Sequence, residues 1–215
     1  MPKIVTIYYE DRARENLKSA LLHRKYNEAI NKALKENKNA SVFLLETPAD
    51  NYLEANLASI RSLVNNGFEG VYLSFQRPFN NIYNLFKQND IDIKKLQIID
   101  GATAICGESY KKNARCIQLS RNLEIDEIAN VIFTTLLKIK NKSRFIFIDS
   151  LTTMRLYEPL SKVMRLPEFL MNSMEKDEMR NVLLFFNVAE NLAKNNYIEN
   201  ISIYADEHIH LGLCT

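Results

Sequence analysis

The chain has 215 residues, of which 47% are hydrophobic and 25% are charged, and its formal net charge is +2. This balance predicts one globular domain over residues 1–215 and excludes a uniformly polycationic nucleic-acid binder. No apolar run approaches the roughly 20 residues of a membrane span, and no secretory signal pattern opens the chain. We therefore expect a cytoplasmic protein without membrane contact, whose three cysteines are reduced thiols.

Residues 1–40 are predicted to form an N-terminal extension ahead of a core at residues 41–215. An apolar run predicts a strand at Ile4–Tyr9. Apolar residues at roughly helical spacing then predict a helix over about Asp11–Asn37.

Short apolar runs alternate with longer stretches of helical periodicity along the core. Strands are predicted at Ser41–Leu45, Val71–Phe75, Leu96–Ile99, Ala114–Leu119, Arg144–Ile148 and Asn181–Phe186. Helices are predicted up to Val64, from Pro78 to Gln88, over Ile125–Ile139, in one or two segments up to Glu178 and over Ala189–Asn195. A loop is predicted at Gly101–Asn113, and a terminal β-hairpin from Ile201–Tyr204 and His208–Leu213. This alternation predicts an α/β, three-layer αβα architecture around a mostly parallel sheet.

Four stretches of this core carry recognisable patterns. SVFLLETPADNYLEANLAS (41–59) reads as a strand, a turn and a helix, and GFEGVYLSFQR (67–77) contains a strand that ends at Phe75. RFIFIDSLTT (144–153) runs a buried strand into Asp149 and Ser150, and SIYADEHIHL (202–211) places an aspartate between two short apolar runs.

In order and spacing these stretches resemble the phosphate loop, the second core strand, the Walker B strand and the closing hairpin of the RecA/KaiC-like P-loop ATPase family. The resemblance covers roughly Ser41–Leu213. It implies a RecA-like fold, of a type that is abundant in archaea.

The segment at the place of the phosphate loop departs from the pattern GxxxxGK[ST]. Glu46 and Asn51 stand at the glycine positions of that frame. Tyr52 replaces the lysine, and Leu53 replaces the residue whose hydroxyl holds Mg²⁺. Because tyrosine brings no positive charge at neutral pH and leucine cannot ligate a metal, the resemblance implies a degenerate phosphate loop.

Acidic residues surround the same turn. Glu46, Asp50 and Glu54 bring negative charge to a place that would otherwise hold a triphosphate. Asn51 and Glu54 have the spacing of a capping box, or Asp50 caps the helix directly. Either cap would use the N–H groups that would meet phosphate. The alternative is an acidic metal site formed with Asp149.

Two further positions bear on catalysis. In the resembling family a glutamate after the second core strand activates water, but Gln76 stands there and cannot accept a proton at neutral pH. Asp149, followed by Ser150, stands at the Walker B position and would hold Mg²⁺ through water. The competing expectation is a carboxylate that accepts hydrogen bonds from Ser150, Thr152 or nearby backbone N–H groups.

Two groups of residues outside these motifs are candidates for binding. His208 and His210 alternate along a predicted strand and share one face, but no further ligand is recognisable, so no metal site is predicted. Lys111, Lys112 and Arg115 form the best local basic cluster and are the candidate nucleic-acid contacts.

The sequence therefore predicts a protein that needs no cofactor and does not hydrolyse ATP. Its expected role is protein–protein binding as a regulatory or scaffolding factor, through a protein partner or self-association. The alternatives are an atypical ATP-binding protein and a recombinase-like accessory protein that binds DNA.

Overall fold

The computed structural model describes residues 3–37, 41–106, 113–190 and 197–212. Its strands are β1 (Val42–Thr47), β2 (Glu69–Ser74), β3 (Leu96–Asp100), β4 (Cys116–Gln118), β5 (Arg144–Asp149), β6 (Val182–Ala189) and β7 (Glu207–His210). Its α-helices are α1 (Lys3–Glu36), α2 (Tyr52–Asn65), α3 (Phe79–Gln88), α4 (Ala102–Cys106), α5 (Ile125–Leu137), α6 (Leu151–Tyr157), α7 (Leu160–Met174) and α8 (Tyr197–Ser202).

The described strands form one sheet in the order β4-β3-β2-β5-β6-β1-β7, and every pair within it is parallel. The carboxyl ends of all seven strands therefore lie at one edge, where ligands bind in open α/β sheets. This confirms the predicted α/β fold and its parallel sheet.

Helices cover both faces of the sheet, because the buried strands alternate apolar side chains between them. In β5, Ile146 and Ile148 join a core cluster with α5, α6 and α7, whereas Phe145 and Phe147 join a second cluster with α1, α2 and α3. We call these the α5–α7 face and the α1–α3 face. Among the described helices, none has the length and apolar composition that a membrane crossing requires.

The predicted strand at Ile4–Tyr9 is wrong, because residues 3–36 form the single helix α1. No glycine or proline interrupts this segment, so nothing stops the helical pattern of its second half from extending backwards.

The predicted terminal hairpin is also wrong. Its first half is helix α8, which buries Ile201, and β7 pairs in parallel with β1. Asp206 explains this docking, because its carboxylate accepts hydrogen bonds from the backbone N–H groups of Ser41 (2.8 Å) and Val42 (2.9 Å).

Two smaller predictions need correction. Residues 102–106 of the predicted loop form α4, whose first turn is held by Asp100 through hydrogen bonds from the N–H (2.8 Å) and hydroxyl (2.9 Å) of Thr103. Ala189, the predicted start of a helix, ends β6 instead, and residues 191–196 lie outside the described part of the chain.

Candidate functional site

The turn between β1 and α2, which the sequence resemblance matches to a phosphate loop, lies at the carboxyl edge of the sheet. Ala49–Asn51 form a single 3₁₀ turn, in which the N–H of Asn51 donates to the carbonyl of Pro48 (3.0 Å) and that of Tyr52 to the carbonyl of Ala49. These backbone donors are therefore used within the turn and do not line an open loop.

The predicted capping of α2 is wrong. Asn51 is the N-cap residue, but its side chain makes no capping hydrogen bond, and no side chain caps the 3₁₀ turn. Pro48 has a φ of −57° and leads directly into the tight turn, so backbone-to-backbone hydrogen bonds replace the expected side-chain cap. The N–H groups of Asn51 and Tyr52 are still occupied, but their acceptors are backbone carbonyls and not a capping side chain.

The residue at the lysine position contacts the Walker B-like aspartate. The Tyr52 hydroxyl donates a 2.7 Å hydrogen bond to Asp149 Oδ1, and the Tyr72 hydroxyl donates to Asp149 Oδ2. All three side chains are buried, with at most 6% exposure. Ser150 and Thr152, the expected donors, make other hydrogen bonds. The Ser150 hydroxyl caps α6 by accepting from the N–H of Thr153, and the Thr152 hydroxyl accepts from the N–H of Ala189.

Burial sets the protonation of this trio. It raises the pKa of the Asp149 carboxyl, and the hydrogen bonds from Tyr72 and Tyr52 oppose that rise. Burial first, and the neighbouring Asp149 charge second, raise the pKa of Tyr52 and of Tyr72 well above the ordinary value. Both tyrosines therefore keep their protons at neutral pH and remain hydrogen-bond donors.

A second set of buried polar groups fills the space beside the trio. The Asn187 amide donates to Asn56 Oδ1, and the Thr47 hydroxyl donates to Asn187 Oδ1 (3.2 Å). The asparagines come from β6 and α2, so they connect the sheet to that helix. Buried networks of this kind fix side-chain positions when their members are satisfied.

The open space that remains beside the trio is small. A cavity of about 60 Å³ is lined by Ala49, Tyr52, Gln76, Ser150, Thr152, Thr153, Leu156 and Ala189. Ligand sites for small molecules commonly enclose roughly 300–1,000 Å³. No basic side chain is among these lining residues. As lined by the described residues, the cavity is smaller than a common small-molecule site and carries no basic group.

The remaining phosphate-loop positions point away from one another. Asp50 is exposed, and Leu53 packs against the core of the α1–α3 face. Glu46 lies on the α5–α7 face, where its Oε2 atom is 2.9 Å from the Nε2 atoms of both His208 and His210. The acidic metal site proposed around Asp149 is therefore not assembled, since Asp149 contacts tyrosines and Glu46 contacts histidines.

A group of basic residues lies at the opposite, amino edge of the sheet. Lys111 and Lys112 lie outside the described residues, but Arg115 lines a groove of about 320 Å³. Five basic residues and one acidic residue line it, namely Lys94, Lys95, Arg115, Lys138, Lys140 and Glu69. Sequence spacing did not reveal this groove, because its cations come from three separate segments.

Tyr72 is the site residue that the sequence did not point to. It is the one tyrosine among the apolar residues of β2, and its register partner on β5 is Phe147. A hydroxyl in the middle of a buried strand needs a hydrogen-bond partner, and this was the available signal.

Seven parallel strands with helices on both faces define a three-layer α/β protein. The sequence matches no protein-family model and no curated protein. An uncharacterised protein of Pyrococcus horikoshii, solved in complex with an unknown peptide, superposes with a TM-score of 0.63 at 13% identity, over 83% of this chain and 82% of that one.

A KaiC-like protein of the hyperthermophilic archaeon Pyrococcus horikoshii OT3 superposes with a TM-score of 0.51 at 13% identity, over 79% of this chain and 70% of that one. Another protein of that strain gives a TM-score of 0.57 at 12% identity, over 84% and 87%. At this level of identity the similarity establishes the RecA/KaiC-like fold, as the sequence motifs predicted.

Proposed function

We propose that this chain is a RecA/KaiC-like protein that does not hydrolyse ATP and acts by binding another protein. The observation that carries the first half is the buried hydrogen bond from Tyr52 to Asp149. In a working site of this kind, a lysine at the position of Tyr52 would hold phosphate, and the aspartate would face Mg²⁺. Here the two groups satisfy each other directly.

Electrostatics support the same conclusion. Transferring a triphosphate into a buried site requires cations or oriented N–H donors to replace its water. Among the residues that the structure describes, the lining of the cavity supplies no cation, and the 3₁₀ turn uses the N–H groups of Asn51 and Tyr52. Gln76, which also lines the cavity, removes the proton acceptor independently.

A melting experiment tests the proposal that the chain does not bind and hydrolyse ATP. An excess of Mg-ATP should leave the melting temperature unchanged. If ATP did bind, a hundredfold excess over its Kd would stabilise the folded state by about 2.7 kcal/mol and raise that temperature. ATP with EDTA serves as the control for ionic effects. A saturable rise with Mg-ATP, accompanied by phosphate release, would sink the proposal and favour the atypical ATP-binding alternative.

Apolar side chains beside the cavity support the proposal that the chain binds another protein. Leu156, which lines the cavity, is 70% exposed, and Tyr157 is 58% exposed. Leu160, at the start of α7, adds a third exposed apolar side chain. Apolar groups clustered on a surface are typical of protein-binding sites, and the structurally similar uncharacterised protein of Pyrococcus horikoshii was solved in complex with an unknown peptide. We propose that this α6–α7 corner receives an apolar segment of a partner protein.

Site-specific photo-crosslinking tests the corner. A photoreactive amino acid at Tyr157 should crosslink one defined protein, and the same group at Lys87 on α3 should not. The purified partner should then bind the wild type and bind the Tyr157→Asp variant more weakly by about tenfold or more. Equal crosslinking from both positions would contradict the assignment. Sedimentation velocity of the purified chain decides whether the partner is a second copy.

The basic groove supports the DNA-binding alternative as a second candidate. Its five cations lie ahead of β3, β4 and β5 in the chain, away from Asp149 at the carboxyl end of β5. Nucleic-acid binding there should weaken steeply with salt. The double variant Lys138→Glu/Lys140→Glu should abolish it, whereas Lys87→Glu should not. Absence of DNA binding by the wild type at low salt excludes this candidate.

A further inference from the structure

Glu46, His208 and His210 meet on one face of the pair formed by β1 and β7. Glu46 and His210 are direct register partners in this parallel pair, and Leu44 pairs with His208. Side chains two residues apart on a strand share a face. The topology therefore brings Glu46 against two histidines, of which His208 lies 162 residues away in sequence.

The three side chains converge on a single point. Glu46 Oε2 lies 2.9 Å from His208 Nε2 and 2.9 Å from His210 Nε2, and one ligand atom of each residue lies within 4.8 Å of the others. The imidazole rings lie 4.7 Å apart between centroids. A cation at this point would have three ligands already directed towards it.

Solvent exposure increases from Glu46 to His208 and then to His210. The Glu46 side chain is 11% exposed, that of His208 is 33% exposed and that of His210 is 58% exposed. The carboxylate is therefore held at the floor by β1, and the imidazoles form a rim that opens to solvent. Ile209 and Leu211 pack on the opposite face of the sheet and fix the strand that carries the histidines.

The chemistry of this set selects the kind of ion. Imidazole nitrogens suit zinc and its neighbours among the first-row transition metals, whereas Mg²⁺ and Ca²⁺ prefer sites built from oxygen. Two histidines and one glutamate form a known three-ligand zinc set, with a fourth position left for water. At bond lengths of about 2.0–2.2 Å, tetrahedral ligand atoms lie roughly 3.3–3.5 Å apart. Small side-chain rotations from the observed 2.9 Å contacts reach that separation.

We propose that Glu46, His208 and His210 bind one divalent transition-metal ion of the zinc class, with its fourth position open to solvent. The Glu46 carboxylate balances one of the two positive charges of the ion. The ion would cross-link the edge strand β7 to β1. The site lies on the α5–α7 face, whereas Asp149 points to the α1–α3 face, so it is independent of the proposed loss of nucleotide binding.

Metal titration tests this proposal. Protein freed of metal with EDTA should bind about one Zn²⁺ per chain, and Co²⁺ in its place should give the intense visible absorption of four-coordinate cobalt. His208→Ala, His210→Ala and Glu46→Gln should each weaken Zn²⁺ binding by about tenfold or more. His23→Ala, which changes the chain's remaining histidine, is the matched control and should bind as the wild type does.

The wild-type chain alone decides the outcome if a variant fails to fold. A four-coordinate cobalt spectrum, displaced by one equivalent of Zn²⁺ and accompanied by a rise in melting temperature, supports the site. A wild type that binds no Zn²⁺, a six-coordinate cobalt spectrum, or binding that His23→Ala removes would overturn it.

Discussion

Tyr52, the first residue of α2, donates a hydrogen bond of 2.7 Å to Asp149, the last residue of β5. The resemblance to P-loop ATPases would place a nucleotide phosphate and its metal between these two residues, and our proposal that the chain does not hydrolyse ATP rests on this bond. Because Tyr72 donates to the other carboxylate oxygen, Asp149 is held from two sides inside the core.

Tyr52→Phe removes one hydroxyl from this buried carboxylate. We expect the free energy of unfolding to fall by about 1–3 kcal/mol, since a buried charged acceptor loses a donor. Urea denaturation measures this. Tyr204→Phe is the control, because Tyr204 is 49% exposed, and it should change stability by less than about 0.5 kcal/mol. Equal stability of Tyr52→Phe and the wild type would show that the bond contributes nothing.

Asp149→Asn removes the buried charge and keeps the shape. Because burial raises the pKa of Asp149, the folded state binds this proton more tightly than the unfolded state does. The contribution of Asp149 to stability is thus fully present below its unfolded pKa of about 3.9 and is lost as pH rises through the folded pKa. The variant should lack this loss, so its stability relative to the wild type should increase with pH across that window. Urea midpoints measured at several pH values test the sign, and a relative decrease would refute it.

The two buried tyrosines predict the alkaline behaviour. Their pKa values are raised in the folded state, so their stabilising contribution is present below the unfolded value of about 10. It is lost as pH rises from there through the folded values. Tyr52→Phe should therefore lose less stability above about pH 10 than the wild type does. An identical alkaline profile for both proteins would contradict the assignment.

Asp206 should control the docking of the edge strand. Its carboxylate accepts from the N–H groups of Ser41 and Val42, so Asp206→Ala leaves two backbone donors without this partner. We expect faster amide hydrogen exchange in β1 and β7 and a loss of about 1–3 kcal/mol in stability. Glu207→Ala, one residue further on, is the control. Unchanged exchange in β1 would argue against this role.

The strands of the core were predictable because their patterns are local. The run Arg144–Asp149 alternates bulky apolar residues and ends in a carboxylate, which suffices to predict a buried strand and the polar edge that follows it. The order of the four motifs then predicted the RecA-like fold.

The partners of Asp149 and the direction of β7 were not predictable. Tyr52 and Tyr72 lie 97 and 77 residues from Asp149, and no pattern in a single sequence joins them. The turn-like residues around Asp206 suggested a local hairpin, but that carboxylate binds Ser41, 165 residues away. The contact between Glu46 and the two histidines was not predictable for the same reason.

Equilibrium dialysis against labelled ATP with Mg²⁺ tests the central claim most directly, because it measures occupancy without assuming a response of the protein. The pairing of Tyr52 with Asp149 predicts that the wild type retains no label up to millimolar ATP. The lining of the cavity, which includes no basic residue, predicts the same for Tyr52→Phe. Saturable retention by the wild type would contradict the claim that this turn has lost phosphate binding.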